Sequence, residues 1–270
     1  MPKKAVKAVK AVKAAKTAKT EWAEYGEALK KTLHLKGSPV AMSLMREVPQ
    51  GMKRWSGEST GVCKMVQSAR GGESFFCTVK EQFCPGASFI GMADPPTQGW
   101  GAENYLSIAK RLYSSRGVAN LHMRTVEARI PRRMGDYMAF APLEKATFHP
   151  DLVVFIVKPL QAMRLIFLEG FDTGIYNTTH IEPMCSGAMA SPLSMGKVGL
   201  SLCCPGSRQT AEFLPEEMAV GMPYETVHRV VRNIPLCHLG SASPNNAAMA
   251  KVPGRSEVLR RYELLDKDIY

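Results

Sequence analysis

Between Pro150 and Pro159 the chain reads Asp151, Leu152, Val153, Val154, Phe155, Ile156, Val157, Lys158. Six apolar residues in a row, rich in β-branching and bounded by prolines, predict a strand, and the unbroken run predicts that both of its faces are covered. An echo lies upstream, where Pro39 opens the run Val40, Ala41, Met42, Ser43, Leu44, Met45 and Pro49 closes it. Met52, Lys53 and Arg54 follow the first run, and Met163 and Arg164 follow the second. Each run is then succeeded by the same cysteine signature: Cys84-Pro85-Gly86 after the first and Cys204-Pro205-Gly206 after the second. Cys63 precedes Cys84 by 21 positions, and Cys185 precedes Cys204 by 19. Matched order in two halves predicts an internal duplication. Packing of the halves about a pseudo-twofold axis would bring Cys63, Cys84, Cys185 and Cys204 to one place, two from each half. Cysteine is also a common small core residue and Pro-Gly a common turn. One such motif carries no information; two with matched upstream cysteines do.

The remaining elements mix helices and strands in each half, which predicts an α+β (mixed α/β) fold built of two pseudo-repeated strand-helix halves around one core. Helices are expected over Glu21–Leu35, Thr60–Arg70, Glu103–Ser115 (with Gly117 as C-cap), Gln161–Glu169, Pro215–Val220, Thr226–Asn233 and Ser256–Leu265. Further strands are expected over Ser74–Thr78, Ile175–Thr179 and Lys197–Leu202. The expected layout is a tail over 1–20 and one domain over 21–270, its repeats at about 28–117 and 118–240, with a C-terminal helix beyond.

The chain has 270 residues, 45% of them hydrophobic, enough for a real core. Its net charge of +11 is uneven. Residues 1–20 hold seven lysines and no acid, leaving 28 basic against 24 acidic residues, or +4, for the rest. Lysine every third residue builds no lasting helical face, so the tail is expected to be disordered; it resembles lysine/alanine tails that hold nucleic acid non-specifically through charge alone, and a solvated tail with no specific partner is the equal alternative. Deleting it should leave the melting temperature within a couple of degrees, because surface changes usually stay within about 0.5 kcal/mol. A larger drop in a thermal melt would show that the tail docks on the fold. The longest aliphatic run is too short to span a bilayer, and the N-terminus has no apolar core of a signal peptide, so a cytoplasmic location and no membrane partner are expected. Seven cysteines in a reducing compartment read as thiols or ligands rather than disulfides.

The run PDLVVFIVKPLQAMRLI at 150–166, the Cys185 segment, SLCCPGSR at 201–208 and APLE at 141–144 together resemble a conserved prokaryotic family, domain of unknown function one-hundred-and-sixty-nine. The resemblance covers roughly residues 28–240. It brings no catalytic residue; it implies a cytoplasmic, prokaryotic and often anaerobic setting in which iron–sulfur chemistry is common.

Four thiolates are the ligand set of the common iron–sulfur clusters. Structural zinc sites usually show paired Cys-x2–4-Cys knuckles, absent here, so distant single ligands favour a cluster of four irons and four sulfides, with zinc as the alternative. Proline after Cys84 and Cys204 removes a competing N–H, and Gly86 and Gly206 leave space for a sulfide. Arg54, Arg164 and Arg208 recur near the repeated elements and are expected to offset the site's negative charge, as cofactor-binding residues. Cys77 and Cys203 are expected in the core, Cys237 to be structural or free, and His180 and Glu182 to lie within reach of the Cys185 loop. No nucleotide-binding glycine loop, His-Glu-x-x-His pair or Ser/His/Asp set is present. The expected function is therefore iron–sulfur binding in electron transfer or as a redox accessory factor, with an unidentified redox partner and room for oligomerisation. The alternatives are a metal-free small-molecule pocket or enzyme at the repeat interface, and a nucleic-acid-associated protein acting through its tail.

Overall fold

The structure, a computed structural model, describes residues 20–92, 107–108, 111–127, 135–174 and 182–237. Six strands, β1 (Val40–Met45), β2 (Phe75–Cys77), β3 (Tyr137–Pro142), β4 (Leu152–Val157), β5 (Gly199–Ser201) and β6 (Met218–Pro223), form one sheet in the order β2-β3-β1-β4-β6-β5. Every neighbouring pair is antiparallel. The two runs that stand out in the sequence are the central pair, in register Val40 with Val154, Ala41 with Val153 and Met42 with Leu152.

The strand order has a symmetry of its own. Outward from the centre, one half runs β1, β3, β2 and the other β4, β6, β5. Each half therefore enters at the centre, places its second strand at the rim and returns between them. Antiparallel neighbours are exchanged by a twofold axis normal to the sheet, and such an axis keeps each face of the sheet as it is. Equivalent helices of the two halves consequently lie on the same side.

Eight α-helices are described: α1 (Glu21–Leu33), α2 (Val62–Arg70), α3 (Gly86–Phe89), α4 (Arg116–Glu127), α5 (Pro159–Gly170), α6 (Ser191–Met195), α7 (Pro205–Thr210) and α8 (Tyr224–Asn233). A π-helical turn over Ser186–Ala190 runs into α6. Alternation along the strands sorts the core into two layers. Val40, Met42, Leu152 and Val154 face one side, under Val62, Met65 and Val66 of α2 and Ala188 and Met189 of the π-turn. Ala41, Val153, Phe155 and Val157 face the other, under Leu29 and Leu33 of α1, Leu165 and Leu168 of α5 and Val227 and Val230 of α8. The first layer carries Cys63, Cys77, Cys185 and Cys203; the second is closed by three amphipathic helices.

Several expectations shift. β3 pairs with β1 and β2, so the first half extends through Pro142 and the boundary between halves falls between Pro142 and Leu152, not near residue 118. Residues 215–220 are not a helix: Met218–Pro223 is β6, buried between β4 and β5. A short apolar run bounded by prolines has no period that separates the two states, and sheet pairing decided it. Residues 111–115 are not helical, and Gly117 lies in the first turn of α4 instead of capping a helix end. The rest of the helix expected at Glu103–Ser115 falls largely outside the described residues. The tail, Ile175–Thr179 and Ser256–Leu265 lie outside them too. No helix among the described residues is long and apolar enough to cross a membrane.

Candidate functional site: a cleft lined by four cysteines

Each of the four cysteines stands at the start of a helical segment. Cys63 is in the first turn of α2, after the extended Gly61. Cys84 precedes Pro85 and α3. Cys185 is the N-cap of the π-turn. Cys204 is the N-cap of α7, where its Sγ accepts the Ser207 N–H at 3.4 Å and the Ser207 hydroxyl accepts the Cys204 N–H at 2.9 Å. The topology explains the pairing: in each half one cysteine opens the helix before the rim strand, and the other opens the helix after it. Backbone N–H groups at such positions reach sulfur at Cys204, from Ser207, and at Cys84, from Gly86 and Val62.

All four line one open cleft, with about 590 Å³ of empty space including the solvent at its mouth. A Cβ placed on Gly61 would lie 3.2 Å from Cys63 Sγ and 3.4 Å from Cys84 Sγ, so those two sulfurs are no farther apart than the sum of these distances. A side chain at Gly61 would fit only tightly between the two thiols, which would have to give by a few tenths of an ångström. Cys63 Sγ also sits 3.3 Å from Thr210 Oγ1, on the α7 that Cys204 caps, which ties the two halves of the site together. Phe83, Phe89, Leu112, Pro85 and Pro183 give the rest of the wall a mainly apolar character, beside His122, Ser207 and Thr210. Among the described residues, no three His, Cys, Asp or Glu side chains close to the spacing that a single metal ion requires.

Burial raises the pKa of Cys63, Cys84 and Cys185, and the neighbouring sulfurs add to it. Burial pushes Cys185 well above the usual thiol value, and Cys84, Cys204 and Cys63 add to the effect. Burial lifts Cys63 to about 11, opposed by the Thr210 hydrogen bond and reinforced by Cys84 and Cys204. Burial also raises Cys84, against backbone N–H groups of Gly86 and Val62 that pull the other way. Cys63, Cys84 and Cys185 are thus neutral thiols at pH 7, and ionising them needs a positive centre beside them.

A pH dependence follows. A thiol whose folded pKa exceeds its unfolded value binds more protons when folded, between the two values. Stability is therefore intact below pH 9, and it is lost as the pH rises through about 11, the value for Cys63. Denaturant melts of metal-free protein should show this alkaline loss, and Cys63→Ser should reduce it. An unchanged profile in that variant would show that Cys63 is not the titrating group.

The three arginines are engaged elsewhere, and none lines the cleft. Arg54 pairs with Glu81, its Nε 2.9 Å from Oε1, beside the bridge between Arg54 and Phe76. Arg164 is buried on α5, the helix whose Ala162, Leu165 and Leu168 pack against the opposite face of the sheet. Arg208 donates to the carbonyls of Leu202 at 2.9 Å and Glu217 at 2.7 Å, and to that of Leu214. Local pairing and backbone contacts use these charges before the cleft can.

Cys77 is fully buried in β2, as expected. Cys203 is half-buried rather than a full core residue, and it adopts φ +68, a left-handed backbone that costs a side chain about 1–2 kcal/mol. Cys237 is half-buried against the second core layer. Glu182 is not among the residues that line the cleft; its carbonyl accepts the Ser201 hydroxyl of β5 at 2.6 Å, and His180 lies outside the described residues. His122 of α4 also lines the cleft, stacked on Tyr113 with ring centroids 5.1 Å apart. Nothing in its sequence neighbourhood signals this, because a lone histidine on a helix has no partner spacing to read.

A family profile described as uncharacterised ArCR, domain of unknown function 169, matches residues 28–233. An uncharacterized protein of Methanocaldococcus jannaschii is 29% identical over 196 residues, covering 70% of this chain and 81% of that protein. No solved structure matches the chain.

Proposed function

The chain belongs to the uncharacterised ArCR family, and we propose that within it the four cysteines hold an iron–sulfur cluster that serves electron transfer or a redox accessory role. The observation that carries this reading is the single cleft lined by Cys63, Cys84, Cys185 and Cys204, drawn from four separate segments. The donor set suits the group, since it is all sulfur and soft, and all four ligands stand at helix starts that offer N–H groups. Around one zinc ion, sulfurs gather about 3.8 Å apart, whereas around a cluster they stand on the order of 6–7 Å apart.

Such a cluster supplies reversible one-electron chemistry when bound. Four protein thiolates would occupy all of its outer positions, which leaves no iron open to a substrate and favours electron transfer over catalysis. Phe83, Phe89 and Leu112 would keep water from most of the sulfurs, and solvent exclusion is one of the factors that tune such a centre's potential. Protein from anaerobic cells should carry about four irons and four sulfides per chain and absorb broadly in the visible. Colourless protein with one zinc would replace the cluster by a structural zinc site. Protein without metal would leave the apolar cleft as a small-molecule site, the second reading that its phenylalanine and leucine wall favours.

A further inference from the structure

The turn that presents Cys204 is held from behind. Cys203 occupies the left-handed region at φ +68, and the carbonyl before it, that of Leu202, is gripped by Arg208 Nη2 at 2.9 Å. The same nitrogen reaches the Glu217 carbonyl at 2.7 Å, and Nη1 reaches that of Leu214. One guanidinium therefore joins three points: the start of the Cys203–Cys204 turn, the loop after α7 and the approach to β6. Its five fixed donors make this a task that lysine performs only in part.

The chain of contacts continues to the other half of the cleft. The Glu217 carboxylate accepts Arg70 Nη2 at 2.6 Å and the Leu214 N–H at 2.9 Å. Arg70 ends α2, the helix whose first turn carries Cys63. Both members of the Arg70–Glu217 pair are largely buried, with side chains 12% and 6% exposed. Cys63 and Cys204 are thus referred to one frame, made of Arg70, Glu217 and Arg208, on the side away from the cleft.

We propose that Arg208 is the positioning residue of the four-cysteine cleft, fixing the Leu202–Cys204 turn through three backbone carbonyls so that the Cys204 sulfur faces the other three. This rests on the cleft being the working site, as proposed above, but its test needs no metal. Reduced, metal-free wild type, Arg208→Lys and Arg208→Met are pulsed with N-ethylmaleimide, and each cysteine is read by peptide mass spectrometry. In Arg208→Met, labelling of Cys204 relative to Cys63 should rise about tenfold, the scale of losing one charge-assisted hydrogen bond that holds a local structure closed. Arg208→Lys, able to reach one carbonyl, should recover part of the protection. Cys77, sealed in β2, gauges general unfolding and should stay unlabelled.

An unchanged Cys204 to Cys63 ratio in both variants overturns the proposal. So does a parallel rise of all the cysteines, Cys77 included, because that is general loosening and not local positioning. Should Arg208→Met fail to fold, Arg208→Lys carries the same criterion alone. Iron analysis of anaerobic wild type is read separately. A metal-free result there removes the cluster and leaves the role of Arg208 to be decided by the labelling.

Discussion

Gly221→Ala should cost about 4 kcal/mol and lower the melting temperature by about 10 °C, a far larger effect than most single substitutions. Gly221 lies in β6, paired with Val154 on one side and Gly199 on the other. The π-turn crosses it so closely that a Cβ would overlap the Ala188 carbonyl oxygen and stand 2.7 Å from the Ala188 carbonyl carbon. Those atoms are backbone, and backbone in a packed layer has no rotamer by which to give way. Alanine at 221 must lift the turn from the sheet, and Cys185 is the residue that opens that turn. A control separates this from ordinary glycine effects. Gly196 has φ +64 and nothing within 4 Å of a Cβ, so Gly196→Ala carries a backbone cost of about 1 kcal/mol and no collision. Equal melting temperatures for the two variants would show that the turn does not rest on β6 as described.

How much of this was legible beforehand depends on what each signal encodes. Val40–Met45 and Leu152–Val157 were readable to the residue, because a strand covered on both faces writes itself as an uninterrupted apolar run with prolines at its limits. The cysteine spacing was readable for a topological reason: in both halves it spans one helix, a three-residue rim strand and a turn. β3 and β6 escaped. Ala139, Phe140 and Ala141 look like loop-flanked small residues, and Met218–Pro223 follows two glutamates as a helix start would. Both are strands because β1 and β4 offer them edges, information that resides in the partner and not in the segment.

The arginines failed for a similar reason. Periodicity reveals that α5 has an apolar side, but not which face of the sheet it covers, and α5, with Arg164, covers the face opposite the four-cysteine cleft. Arg54 and Arg208 lie nearer the cysteines in the chain, yet Glu81 and three carbonyls claim them first. A charge expected to balance a site from sequence proximity alone has no defence against a nearer partner.

Single replacement of Cys63, Cys84, Cys185 or Cys204 by serine should each abolish the visible absorption of anaerobically prepared protein, while Cys77→Ser and Cys237→Ser should keep it. Serine nearly preserves the side-chain shape but offers a hydroxyl that does not ionise near neutral pH and a hard oxygen in place of a soft thiolate. Stability should sort the same variants in a different order. Cys77 is fully buried between Met138 and the Trp55-lined core layer, and a hydroxyl there costs about 1–3 kcal/mol unless it finds a partner. Cys63 already faces the Thr210 hydroxyl at 3.3 Å, which a serine can use, so metal-free Cys63→Ser should melt close to wild type. The two readouts must therefore dissociate: Cys77→Ser melts lower and stays coloured, whereas Cys63→Ser melts normally and is bleached. Loss of colour that merely follows loss of stability would make the cysteines core residues, and full colour in two or more of the four serine variants would remove the shared centre. Only ligation predicts bleaching at four positions spread over 142 residues of chain, from Cys63 to Cys204, with the fold retained.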